Sequence, residues 1–162
     1  MKKSAGFTFI EILVAVVISG ILFGGGIAAF RGIGARQNLK QAGIEFQSNL
    51  RLIQEKTLSS KKPAGCDVLL EYEVSYVDNI DKNTYSMKPI CQPDTLTATP
   101  VVLLENVTFE TSFSPISFLV LQAGVVLNEG LGVEEKTIKL QSGTLEYWVT
   151  IESKGVIKGE MH

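Results

Sequence analysis

The chain has 162 residues, a formal net charge of −2 and 45% hydrophobic residues. Such mild acidity leaves no electrostatic footprint for nucleic acid or an anionic lipid surface, and a single histidine, His162, argues against Ser-His-Asp and Cys-His catalysis. One long apolar run within this length leaves room for a single globular domain of about 100 residues.

The run follows a short basic opening, MKKSAG, and covers residues 7–30, FTFIEILVAVVISGILFGGGIAAF. At about 1.5 Å per residue it exceeds a hydrocarbon core of about 30 Å, so a membrane-spanning helix is expected. Its one ionisable side chain is Glu11. A carboxylate at the centre of such a helix is disfavoured by about 2.5–3.5 kcal/mol and calls for a positive or hydrogen-bonding partner. The run is too long for a secretory signal core of roughly 7–15 residues, and the small-residue step Ala5-Gly6 precedes it rather than follows it. Lys2 and Lys3 stand before the run and Arg31, Arg36 and Lys40 after it, so charge bias leaves the orientation open. Gly20, Gly24, Gly25 and Gly26 each weaken a helix by about 1 kcal/mol and would serve close helix packing in a plain anchor.

From Arg31 the pattern turns amphipathic. Leu39, Ala42, Phe46, Leu50, Ile53 and Thr57 recur at steps of three and four, while Lys40, Glu45, Gln47, Arg51 and Glu55 take other faces. The stripe suits a helix to about Leu58 that packs on the protein's own sheet, and Ser59, Ser60, Pro63 and Gly65 end it. The period then changes to two. Leu70, Tyr72, Val74 and Tyr76 alternate with Glu71, Glu73 and Ser75 as a half-buried strand, residues 78–83 read as a turn, and 84–91 as the returning strand.

Cys66 and Cys91 flank that hairpin. They read either as a disulfide formed in an oxidising compartment, worth roughly 3 kcal/mol for a loop of this length, or as two separate buried thiols. No second cysteine pair exists to complete a metal site, and no cofactor motif is present. Residues 92–100 read as a loop, 101–113 as one or two strands with Val107, Phe109, Thr111 and Phe113 on one face, and 116–121 as a central strand. A meander closes the chain: 137–140, a turn at Gln141-Ser142-Gly143, 144–152, a turn at Ser153-Lys154-Gly155, and 156–158, with Gly143 and Gly155 where hairpin loops need positive φ. Glu134 and Glu135 have no cation-loop spacing and read as surface. Tyr147 and Trp148, adjacent on one strand, are expected on opposite sides.

The opening residues resemble the type IV prepilins and the pseudopilins of type II secretion. In those families a short basic leader ends in Gly and the mature chain begins with Phe and carries Glu at its fifth position; Gly6, Phe7 and Glu11 match residue by residue. The resemblance implies that a prepilin peptidase cuts after Gly6 and N-methylates Phe7. It further implies a single span in the inner membrane with the C-terminal head outside the cytoplasm, and assembly with other subunits on an inner-membrane platform into a pilus or pseudopilus. Losing Lys2 and Lys3 with the leader takes the net charge to −4. The new α-amine of Phe7 would then lie one helical turn from Glu11 or beside the Glu11 of a neighbouring subunit. The glycines at 20–26, on this resemblance, let the helix loosen between bilayer and filament. The tail from Ile116 through TIKLQSGTLEYWVTIESKGVIKG is similar to the C-terminal sheet of GspH/FimT-like minor pseudopilins and minor pilins.

The expected protein is thus α+β and pilin-like, a structural subunit rather than an enzyme, without cofactor or metal. A long N-terminal helix, membrane-spanning in its first half and amphipathic in its second, packs on a mainly antiparallel sheet or sandwich head. Its segments are 1–6 (leader), 7–30 (span and filament core), 31–60 (amphipathic helix) and 61–162 (head). The alternative is a minor pilin that captures DNA in an uptake filament. That role falls here to Lys154 and Lys158, with Glu152 and Glu160 close by reducing the field.

Overall fold

A computed structural model describes residues 8–127 and 133–162, with the side chains of 23–32 outside that description. Gly6 and Phe7 lie outside the described residues. The chain divides into two compact units, Met1–Ala35 and Arg36–His162. Helix α1 (Phe9–Leu58) contributes to both. Its C-terminus closes by a Schellman arrangement, in which Lys61 N–H donates to Lys56 O at 2.9 Å and Ser60 N–H to Thr57 O at 3.1 Å. Ser60 takes the left-handed conformation that this requires, at φ 51°.

Within Arg36–His162 the expected stripe is buried along its whole length, from Leu39 to Thr57. Among the described residues nine strands follow: β1 (Val68–Val77), β2 (Thr84–Gln92), β3 (Thr99–Val102), β4 (Thr108–Phe109), β5 (Ile116–Leu119), β6 (Val125–Leu127), β7 (Glu135–Ser142), β8 (Leu145–Glu152) and β9 (Ile157–Met161). They form two antiparallel sheets, ordered β3-β2-β1-β5-β6 and β4-β7-β8-β9. The helix stripe meets both. Phe46 packs edge-on against Tyr85 of β2 at 4.9 Å and Phe109 of β4 at 5.7 Å between ring centroids. Asn49 donates to the Tyr85 hydroxyl at 2.6 Å, and burial pushes that phenol up to about 12.

Three local departures from the pattern have physical causes. Leu70, expected on the core face of β1, is exposed, and Leu69 is buried in its place. The register runs Leu69↔Cys91 and then Glu71↔Ile90, so Leu70 is the extra residue of a β-bulge, and one added residue reverses the facing of what precedes it. The expected strand pattern over 101–113 reduces to β3 and the two-residue β4; Val107, Phe109 and Phe113 are buried, but Thr111 is exposed in an irregular stretch. Strand β6 was not anticipated; its Val125 N–H donates to Ser153 O at 2.9 Å, so the pairing that stabilises it comes partly from a turn far along the chain.

Two polar helix positions assigned to other faces also serve the core. Gln47 is buried, and Gln47 and Arg51 both donate to Ile157 O of β9, at 3.3 and 2.9 Å. Gln54 donates to Gly155 O at 2.8 Å. Side chains on one face of α1 thereby occupy the first carbonyl of β9 and one of the turn before it, at the start of an edge that would otherwise be open for pairing with another chain.

Candidate functional site

Glu11 stands in the first turn of α1, and the residues around it set its geometry. Glu11 N–H donates to Thr8 Oγ1 at 3.3 Å, while Thr8 N–H donates to Glu11 Oε2 at 3.2 Å and the Thr8 hydroxyl reaches the same oxygen at 3.3 Å. This reciprocal pair is a capping box, with Thr8 at the N-cap and Glu11 at the third helical position, and it satisfies two backbone donors that a helix start leaves free. The Thr-x-x-Glu spacing of residues 8–11 carries the signal in the sequence, whereas the hydropathy of the run marks Glu11 only as a carboxylate in need of a partner. The positive end of the helix dipole also favours a carboxylate here. Glu11 therefore has a local partner in the single chain, at one oxygen, and its side chain is exposed.

The apolar residues after it are exposed as well. Ten large apolar side chains between Phe9 and Leu22 are at least 49% exposed, Phe9 reaching 84%. Each would gain roughly 1.5–3 kcal/mol on leaving water, and a contiguous surface of this kind marks contact with protein or membrane. Among the described residues no helix is long and apolar enough to cross a membrane; the expected span continues through residues whose side chains lie outside the description.

In the head, Cys66 and Cys91 form a disulfide with Cα atoms 5.6 Å apart. Because Leu69 pairs with Cys91, the bond ties the segment before β1 to the end of β2 at the open end of the hairpin. Tyr147 is buried and Trp148 half-buried on the opposite face, where Trp148 stacks on His162 at 4.1 Å and lies under Lys139 at 4.7 Å.

The two lysines considered for DNA differ. Lys154 is exposed in the turn between β8 and β9. Lys158 Nζ lies 2.6 Å from Glu152 Oε1, and that hydrogen bond holds the ammonium's pKa above its ordinary value. Glu152 stands directly opposite Glu135 across β7 and β8, so Lys158 offsets a like-charge pair. Among the described residues no cluster of His, Cys, Asp and Glu could hold a metal ion.

Residues 1–27 match the family model of the prokaryotic N-terminal methylation motif. The chain therefore carries the type IV prepilin-like signal, which is a mark of structural subunits. No curated protein and no solved structure matches the chain.

Proposed function

We propose that this chain is a prepilin-like subunit, cut after Gly6 and N-methylated at Phe7 by a prepilin peptidase. It is held in the inner membrane by a single span over residues 7–30, with the head outside the cytoplasm. From there it joins other subunits on the assembly platform and enters a pilus or secretion pseudopilus. The observation that carries this reading is the methylation motif over residues 1–27. The exposed apolar surface of Phe9 to Leu22 supports it, since such a surface is stable only in lipid or among neighbouring helices. Glu11 then acts in assembly by exchanging or sharing its Thr8 cap with the Phe7 amine of a neighbour. The tail's resemblance to GspH/FimT-like domains favours a minor subunit. DNA capture finds no support in Lys158, whose charge is engaged by Glu152.

Intact-mass analysis of the membrane-extracted chain tests the reading. The expected mass lacks Met1 to Gly6 and gains one methyl group; a full-length or unmethylated chain from cells with an active prepilin peptidase rejects it.

A further inference from the structure

A groove of about 400 Å³ opens on the helix side of the first sheet. Tyr72 of β1 and Met87 and Pro89 of β2 line it together with Leu96, and Lys56 of α1 supplies the one charge in its lining. The Lys56 ammonium sits 6.0 Å from the Tyr72 ring centroid. No ion pair to Lys56 is found among the described residues.

The opposite end of the same hairpin has the complementary character. Ile80, at the tip of the β1–β2 turn, is 100% exposed, and Asp78 and Asp81 flank it. The turn is held rigid: Lys82 N–H donates to Asn79 O at 3.1 Å, Asn79 donates to Asn83 Oδ1 and Thr84 Oγ1, and Phe109 N–H and Leu103 N–H take the carbonyls of Lys82 and Asn83. An apolar side chain on a pre-ordered turn, beside two carboxylates, loses little conformational freedom on docking.

The geometry points to a head-to-tail contact between two copies of this chain, in which Ile80 of one enters the Tyr72–Met87–Pro89 groove of the next and Asp81 pairs with its Lys56. Self-insertion is barred, because Met87 and Tyr72 stand three and five residues down the strands from the turn, roughly 10–16 Å at about 3.3 Å per residue, beyond the reach of an isoleucine side chain. The contact is heterologous, so it repeats in one direction and suits an open assembly rather than a closed dimer. This rests on the subunit reading above and names a partner surface for its head.

Photo-cross-linking tests it in membranes bearing the full-length chain with Ile80→benzoylphenylalanine. Cross-links are expected from position 80 to residues 63–72 or 87–99 of a second copy. Lys56→Glu should lower them about tenfold or more, and Lys56→Glu with Asp81→Lys should restore them. Formation of the Cys66–Cys91 bond checks that each variant is folded. Cross-links to another protein or another surface, or a yield indifferent to Lys56→Glu, overturn the proposal. N-terminal processing is read on the same samples: a processed chain without this cross-link defeats the docking alone, and an unprocessed chain that still cross-links defeats the subunit reading alone.

Discussion

Glu11→Gln separates the two jobs that the first turn of α1 can give this side chain. Glutamine keeps the capping box, since its amide oxygen can still accept from Thr8 N–H, but it carries no charge. Alanine removes both, and loss of the cap alone costs about 1 kcal/mol, or roughly fivefold. If Glu11 pairs in the filament with a neighbour's Phe7 amine, away from water, removing one partner costs about 3–5 kcal/mol, which is roughly a hundred- to several-thousand-fold in incorporation. Both variants should then leave the processed chain in the membrane fraction and out of sheared filaments, and they should differ from each other by less than about tenfold. The assay is the ratio of filament to membrane protein, with the mature N-terminus confirmed by mass. A Gln variant that assembles like the parent while the Ala variant fails would show that the cap, not the charge, is what assembly uses.

Two predictions concern the head. Gly43→Ala should destabilise the full-length chain in detergent by about 1–2 kcal/mol, because the new Cβ would overlap the buried Tyr147 ring and the overpacking outweighs a helix-propensity gain of about 1 kcal/mol; a neutral or stabilised variant, read by urea unfolding through Trp148, would refute the close approach. Replacing Cys66 and Cys91 together by Ser opens a loop with a sequence separation of 25 and should lower stability by roughly 3.5 kcal/mol on the chain-entropy estimate. A loss below about 1 kcal/mol in the same unfolding assay would mean that the hairpin's pairing already confines that loop.

The legible parts of the fold were those written in short-range periodicity. The stripe from Leu39 to Thr57 is buried because a 3.6-residue period leaves few alternatives. The meander in β7, β8 and β9 followed from glycines at turns, although the first turn closes on Gly143-Thr144, with Ser142 already paired to Leu145. The bulge at Leu70 was hidden because Leu69 and Leu70 are equally apolar, and only the partner strand decides which of them faces inward. Strand β6 was hidden for a similar reason, since one of its hydrogen bonds comes from Ser153. At the N-terminus the position of Glu11 stood out by composition, whereas its pairing with Thr8 required reading the helix start as a cap.

Gln47, Arg51 and Gln54 show why a two-colour reading of a helix undercounts its interface. Each is polar, and a pattern of burial by hydrophobicity assigns all three to solvent. Yet β9 is an edge strand, and carbonyls along its outer side would lose their water wherever the helix lies against them, at about 1–3 kcal/mol for each left unpaired. Apolar side chains at these helix positions would leave that cost standing. Long donors remove it at the start of the strand, from positions four and three residues apart along one face of the helix, where they meet Ile157 O of β9 and Gly155 O of the turn before it. The polar face of α1 is therefore as much a determinant of how the last strand is seated as the apolar stripe is of the core.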